Sequence, residues 1–254
     1  MAIMAGAVIV LPSASDTALL VAAAFGTSLL SAVAGFGGGL LLLAASIAVL
    51  GPRNAVVVVT IAQLASTGGR VGFNRTEIHR RLVVVFSLGA VPGAAAGALL
   101  LAATPTEDTL ARIIGGCLLA LVLWRRFHPA AIHMPDPLFV AMGAASGVGS
   151  GLLGSVGPLV AEFFLAHGLA RGAYIGTDAA ANLLMHITKL AVYGAAAVLT
   201  HTTGLLGLAL VPASFAGSWT GKQIVDRLAP GVFTIVVELA LVAAGVTLLI
   251  GGSS

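Results

Sequence analysis

The sequence predicts an all-α membrane protein that crosses the bilayer several times and consists of two internal repeats. Of the 254 residues, 59% are hydrophobic and 8% are charged, and apolar runs of about 18 or more residues recur along the chain, as in membrane-spanning helices. A glycine-rich interruption occurs twice within these runs, at matching places in the two halves. This composition excludes an ordinary soluble protein, and paired interruptions are typical of transporters.

The first interruption, residues 35–39, reads Gly-Phe-Gly-Gly-Gly and separates the apolar runs Thr17–Ala34 and Leu40–Leu50. Each glycine costs about 1 kcal/mol relative to alanine inside a helix, so this cluster favours a break. The whole stretch is too long for one straight helix across a hydrocarbon core of about 30 Å, and short for two full crossings. We expect a re-entrant hairpin or a discontinuous helix. Its backbone then either lines a wet cavity or lies in a tight crossing of helices.

The second interruption, Gly154–Pro158, belongs to a second copy of the same pattern. A shift of 119 positions superimposes small, amide and basic residues of the two halves and, after one residue of slippage, a proline and a glycine. The matched pairs are Ser31 with Ser150, Gly35 with Gly154, Gly38 with Gly157, Leu40 with Leu159, Gln63 with Asn182, Arg70 with Lys189, Pro92 with Pro212 and Gly97 with Gly217. We interpret residues 1–130 and 131–254 as two transmembrane repeats, a common plan in transporters.

The remaining apolar runs predict about three full transmembrane helices in each half. Pro52 stands where the first turn of a helix tolerates proline, and the pair Pro92-Gly93 predicts a kink within its helix. The predicted helices are 55–73, 82–103 and 109–124 in the first half, then 138–153 and 159–167 around the second interruption, and finally 173–200, 204–221 and 231–250.

Basic residues between the helices predict the orientation, because cytoplasmic loops are enriched in lysine and arginine. Residues 74–81 and 125–136 are rich in arginine and are expected in the cytoplasm. If each interruption is a re-entrant hairpin, each half makes three full crossings, the halves are inverted, and Arg171, Lys222 and Arg227 are cytoplasmic too. If each interruption is a full crossing, each half makes four, the halves are parallel, and Lys222 and Arg227 lie outside. The charges favour inverted halves.

Two polar stripes interrupt the apolar helices that follow the interruptions. Helix spacing places Gln63, Thr67 and Arg70 on one face of the first-half helix. The same spacing places four residues on one face of the second-half helix, namely Asp178, Asn182, His186 and Lys189. Ionisable groups inside a bilayer are expensive and mark a pathway or site, or else a buried salt-bridge network that only joins helices.

The matched cations Arg70 and Lys189, together with the N-termini of the interrupted helices, predict a pocket for a small anion. We expect the backbone of both interruptions to take part, through Gly37, Gly38, Gly39, Ser155, Val156 and Gly157, beside the stripe residues Gln63, Thr67 and Asn182. If the glycines line such a pocket, a side chain added at Gly38 enters open space and blocks binding without harming the fold. A close helix crossing predicts a loss of stability instead.

Three further residues are candidates for proton coupling: Glu162, Asp178 and His186. Acidic residues within membrane spans bind protons or pair with cations, and Glu162 has Lys189 as a candidate partner. Histidine exchanges protons near neutral pH, although a buried histidine is often only a hydrogen-bonding residue. The single Cys117 excludes a disulfide within the chain and a cysteine cluster, and we expect no metal and no cofactor.

The pattern resembles the TauE/SafE family of sulfite exporters. The resemblance rests on the Ala34-Gly35-Phe36-Gly37-Gly38-Gly39 interruption, the Pro52 turn, the Pro92-Gly93…Gly97 helix and the degenerate second copy. It spans essentially the whole chain, and the second copy departs from the motif where Ser155 and Val156 replace Phe36 and Gly37. The resemblance implies export of sulfite, sulfoacetate or a related sulfur oxyanion across the bacterial inner membrane.

Two other classes of function compete with a secondary transporter. An anion channel shares the same charge pattern. An intramembrane enzyme is disfavoured, because the motifs of rhomboid-like and Gly-x-Gly-Asp proteases are absent. We therefore expect a multi-pass transporter without enzyme activity whose partners are a small anionic substrate and the lipid bilayer, not nucleic acid. The sequence leaves both a monomer and a homo-oligomer open.

Overall fold

The computed structural model describes residues 12–34, 38–127, 135–157, 168–169 and 171–224, and the single residues 160, 164, 242 and 246. This described part is helical and contains no strand. Its helices are α1 (Ala14–Ala34), α2 (Gly38–Leu50), α3 (Pro52–Phe73), α4 (Arg80–Ala103), α5 (Glu107–Phe127), α6 (Asp136–Leu153), α7 (Arg171–Ala195) and α8 (His201–Ile224).

Most predicted helices agree with these bounds. Pro52 occupies the first turn of α3, whereas Pro92 and Pro212 lie inside helices that continue through them. Residues 35–37 lie outside the described part of the chain, so the first interruption is seen only as the end of α1 and the start of α2. The predicted helices 159–167 and 231–250 also lie largely outside it.

Four helices of the described part are long and apolar enough to cross a membrane. They are Ala14–Val33, Pro52–Phe73, Arg80–Ala103 and Asp136–Leu153. α7 is of similar length but carries the charged stripe, which lowers its apolar character. The large apolar side chains left exposed, such as Leu88 and Leu208, are those that a bilayer would cover.

Glycines bring α4 and α6 into backbone contact. An added Cβ at Gly93 would lie 2.3 Å from the carbonyl oxygen of Ala144, closer than real atoms approach. Small residues at a spacing of four allow such contacts between membrane helices. The glycines at this interface are Gly89, Gly93 and Gly97 of α4 and Gly143, Gly147 and Gly151 of α6. Because Gly89 lies against Val140 and Gly97 against Val148, the two helices run parallel.

The contact between α1 and α8 is of the same kind. An added Cβ at Gly217 would lie 2.2 Å from the carbonyl oxygen of Phe25, and one at Gly221 would lie 2.5 Å from that of Leu29. The order of these contacts shows that α1 and α8 also run parallel. In both pairs, van der Waals contact between backbones replaces the side-chain layer that usually separates helices.

The C-terminal end of α3 lies beside the N-terminal end of α7 in space, and the two helices run antiparallel. Near the end of α3, Arg70 forms a salt bridge with Asp178 in the second turn of α7. The backbone N–H of His79, just after α3, donates a hydrogen bond of 2.9 Å to Thr177 Oγ1. The segment between α3 and α4 therefore packs on the first turns of α7.

The same end of the molecule contains the start of α6 and the end of α8. Arg81, at the start of α4, forms a salt bridge with Asp136, at the start of α6. Lys222, in the last turn of α8, donates a hydrogen bond of 2.6 Å to the carbonyl oxygen of Phe73. α1, α3 and α8 thus run in one direction, while α4, α6 and α7 run in the opposite direction.

These directions bear on the predicted repeat. The shift of 119 positions matches α1 with α6, α3 with α7 and α4 with α8, and the members of each matched pair run in opposite directions. Inverted halves require this arrangement. The duplication itself stays a prediction from the sequence.

Candidate functional site

The two polar stripes are buried between α3 and α7. Gln63, Thr67 and Arg70 point inward from α3, and Asp178, Asn182, His186 and Lys189 point inward from α7; all seven are at most 5% exposed. Helical spacing explains the arrangement, since residues three and four positions apart share a face. The stripes therefore face each other across the centre of the molecule.

Arg70 and Asp178 form a buried ion pair between the two predicted halves. Nη1 of Arg70 lies 3.5 Å from Oδ2 of Asp178, and Nη2 donates to Thr67 Oγ1 at 3.4 Å. Asn182 donates to the Asp178 carboxylate at 3.0 Å and to its backbone carbonyl at 2.9 Å. Four stripe residues thus form one network. The Arg70–Asp178 contact was not predictable from local sequence patterns, because the partners are 108 residues apart.

Lys189 lies at the C-terminal end of α6. Its Nζ donates to the carbonyl oxygen of Gly154 at 2.6 Å, to the hydroxyl of Ser150 at 2.9 Å and to the carbonyl oxygen of Ser150 at 3.3 Å. One turn further along α7, the hydroxyl of Tyr193 donates to the carbonyl oxygen of Gly151 at 2.5 Å. Sequence reasoning missed Tyr193, although it extends the stripe by four positions. Glu162, a candidate partner of Lys189 and a candidate for proton coupling, lies outside the described residues.

Three predicted site residues from separate segments meet at the start of α2. An added Cβ at Gly39 would lie 2.4 Å from Oγ of Ser155 and 3.0 Å from Nε2 of Gln63. Gln63 is 2% exposed, and its Nε2 has no hydrogen-bond partner among the described residues. The first N–H groups of a helix also lack intrahelical partners and carry partial positive charge. Hydrogen-bond donors therefore converge where the first turn of α2 faces the second interruption.

The expectation of open space at Gly38 is wrong. An added Cβ there would lie 2.2 Å from the carbonyl oxygen of Thr27 and 2.7 Å from Cβ of Ser31. Gly38 thus packs against α1. Gly39 faces a different direction, because adjacent residues of a helix point about 100° apart around its axis. Gly38 serves the helix crossing, and Gly39 faces the other half of the chain. Gly37 lies outside the described residues.

The second interruption is a tight turn after α6. Gly154 closes α6 in the left-handed region, with φ of 71°, where glycine is favoured over other residues. Ser155, Val156 and Gly157 follow it and are all buried. The turn lies beside the start of α3, since an added Cβ at Gly154 would lie 3.2 Å from the carbonyl oxygen of Val56.

His186 lies between Asn182 and Lys189 on the inward face of α7. It is 2% exposed, and its Nδ1 has no hydrogen-bond partner among the described residues. A buried polar atom without a partner is costly, and in natural proteins it often serves a ligand, a proton or an unseen water. His186, like Gln63, therefore has a buried polar atom without a hydrogen-bond partner in the described part of the chain.

The fold and the buried polar centre define the class: a helical membrane protein with ionisable residues on facing interior helices. Residues 20–248 match the family described as sulfite exporter TauE/SafE. The chain belongs to this family, and membership implies an exporter of sulfite or a related sulfur-containing anion. No curated protein and no solved structure matches the chain.

Proposed function

We propose that this protein is a secondary transporter that exports a small sulfur oxyanion, such as sulfite or sulfoacetate, across the bacterial inner membrane. The observation that carries the proposal is Nε2 of Gln63, which has no hydrogen-bond partner among the described residues and lies beside Gly39 and Ser155. An amide donor, a hydroxyl and the N-terminus of α2 together match the acceptor oxygens of such an anion. The anion would be held between the two predicted halves, near the middle of α3.

Arg70 would contribute a second position along the same path. It lies seven residues after Gln63 on the same face of α3, about 10 Å further along the helix axis. Thr67 lies between them and bonds Arg70. An anion entering from the end that carries Arg75, Arg80 and Arg81 would meet Arg70 first and the start of α2 next. Asn182, Val156 and Gly157 remain candidate wall residues of this path.

The arginine-rich end would be the cytoplasmic face, in agreement with the enrichment of basic residues in cytoplasmic loops. Arg75 and Lys222 lie at this end, where α3 and α8 finish and α4, α6 and α7 begin. Opposite directions of matched helices support inverted halves, with each interruption as a re-entrant segment. Such inverted repeats allow alternating access around a central site.

Proton coupling would follow from the Arg70–Asp178 pair. An anion that binds Arg70 competes with the Asp178 carboxylate, and a carboxylate without its cation in a buried site takes up a proton. The transport cycle would therefore couple the movement of each anion to the movement of a proton. His186 and Glu162 are further candidates for this proton path.

A direct test uses purified protein in sealed liposomes. Sulfite, sulfoacetate, sulfate and a carboxylate of similar size are compared for saturable uptake, counterflow and acidification of the lumen. We expect saturable exchange of sulfite or sulfoacetate with proton movement. An ohmic current without saturation would assign the protein to the alternative class of anion channels. Equal transport of all four anions would contradict the proposed preference for sulfite or sulfoacetate.

A further inference from the structure

The environment of Lys189 differs from that expected of an anion-binding lysine. The side chain is fully buried, and within the described part of the chain its ammonium group has three acceptors, which equals its number of N–H bonds. All three acceptors belong to Ser150 and Gly154, at the C-terminal end of α6. Among the salt bridges of the described residues, none includes Lys189.

These acceptors are two carbonyl oxygens and one hydroxyl, and together they suit a cation. We call them the acceptor ring. The last carbonyl groups of a helix lack intrahelical partners and carry partial negative charge. In transporters with broken helices, such carbonyl groups at half-helix C-termini coordinate monovalent cations. Here the ring is filled from within the chain by the Lys189 ammonium.

The ring is also joined to Ser155 by one peptide bond. Lys189 bonds the carbonyl oxygen of Gly154, which is covalently joined to the nitrogen of Ser155. Ser155 in turn lies against Gly39 and Gln63. Tyr193 adds a second bond from α7 to the same helix end through Gly151.

We propose that Lys189 is a positioning residue whose ammonium acts as a tethered cation: it holds the C-terminal end of α6, and through Gly154 it keeps Ser155 at the start of α2. Lys189 then does not contact the transported anion, in contrast to the expectation from the sequence. The inference deepens the proposed function, since it assigns Lys189 a role beside the proposed anion site.

The test replaces the tethered cation by a free one. Lys189→Ala removes the ammonium and leaves the acceptor ring vacant. The variant is compared with wild type in ammonium chloride and in choline chloride of equal ionic strength. Ammonium fits the ring, whereas choline is too large and lacks N–H groups. Thermal unfolding and sulfite affinity are measured on the same samples.

In choline, we expect Lys189→Ala to unfold at a lower temperature and to bind sulfite about tenfold more weakly, because Ser155 is no longer held at the start of α2 and a hydrogen bond at the proposed anion site weakens. Ammonium should raise the unfolding temperature of the variant and restore its affinity, with no such effect on wild type. Lys222→Ala is the matched control, because Lys222 bonds the carbonyl oxygen of Phe73 from an exposed position. It should respond equally to both salts.

The outcomes separate the two roles of Lys189. Weaker sulfite binding with unchanged thermal stability and no ammonium effect would overturn the inference and make Lys189 an anion contact. If Lys189→Ala does not fold in choline, folding in ammonium supports the inference, and failure in both salts, repeated with Lys189→Met, overturns it. If wild type binds no sulfite, the proposed function fails, while the thermal response to ammonium still decides the role of Lys189.

Discussion

Arg70 of α3 and Asp178 of α7 form a buried salt bridge, with Nη1 and Oδ2 separated by 3.5 Å. Both side chains are almost fully buried. Removing two charges from water is expensive, and the pair is tolerated because each charge compensates the other and Asn182 bonds the carboxylate. The salt bridge therefore joins the two predicted halves, and under the proposed function a competing anion opens it.

The first prediction concerns this pair. Arg70→Ala leaves the carboxylate of Asp178 buried without its cation, so we expect a loss of about 3–5 kcal/mol in stability. The double variant Arg70→Ala, Asp178→Asn should recover much of that loss. Neither variant should bind sulfite normally, since each lacks a charge-assisted contact worth about 1.5–3 kcal/mol. Arg70→Lys should still impair binding, because lysine lacks the bidentate guanidinium.

Arg81→Ala is the matched control for Arg70→Ala. Arg81 forms an exposed salt bridge with Asp136, and exposed pairs contribute at most about 1 kcal/mol. Thermal unfolding in detergent and equilibrium sulfite binding provide both measurements. Normal affinity in a folded Arg70→Ala protein would remove Arg70 from the anion path.

The second prediction concerns Gln63. Gln63→Leu keeps the volume of the side chain but removes an amide that has an unpaired buried Nε2 in the described structure. Removal of an unsatisfied polar group is neutral or stabilising, so the unfolding temperature without anion should stay the same or rise. Sulfite affinity should fall at least tenfold, as for a lost hydrogen bond to a charged ligand. A clear loss of stability in Gln63→Leu with unchanged affinity would assign Gln63 to packing.

The third prediction separates the two neighbouring glycines of α2. Gly38→Ala places Cβ 2.2 Å from the backbone oxygen of Thr27, and such overpacking costs about 1–3 kcal/mol. Gly39→Ala meets Cβ and Oγ of Ser155 and also costs stability, but in addition it fills the space between Ser155 and Gln63 where the anion is proposed to bind. We expect Gly38→Ala to lower stability most and Gly39→Ala to lower sulfite affinity most.

Gly26→Ala is the control for these glycine variants, because no atom lies within 4 Å of an added Cβ at Gly26. In a helix interior, alanine is favoured over glycine by about 1 kcal/mol, so this variant should be as stable as wild type or more stable. Equal effects of Gly38→Ala and Gly39→Ala on both measurements would mean that the start of α2 has no side directed to a ligand.

Local periodicity made part of this structure predictable. The spacing of Asp178, Asn182, His186 and Lys189 requires one helical face, and a face with such costly groups in a bilayer has to be directed inward. Long apolar runs likewise predicted most helices. Family membership also follows from local motifs and their order along the chain.

Contacts between distant segments were not predictable in the same way. The sequence shows neither that Arg70 meets Asp178 nor that Lys189 meets backbone carbonyl groups, because a carbonyl acceptor leaves no signature in residue type. The glycine cluster predicted a special backbone but not its orientation. Only the folded structure shows that Gly38 faces Thr27 of α1 while Gly39 faces Ser155 of the second interruption.

The last prediction concerns the orientation of α7 in the membrane. Inverted halves place the start of α7 in the cytoplasm and its end outside, while parallel halves reverse both. The structure places the segment 74–79 against the first turns of α7, and this arginine-containing segment is expected in the cytoplasm.

After Cys117 is replaced by alanine, single cysteines are introduced at Arg75, Thr106, Arg171 and Thr200 and treated in intact cells with a membrane-impermeant thiol reagent. We expect labelling at Thr106 and Thr200 and protection at Arg75 and Arg171. Thr106 and Arg75 serve as controls, because both arrangements give them the same sides. Labelling at Arg171 together with protection at Thr200 would establish parallel halves and reject re-entrant interruptions.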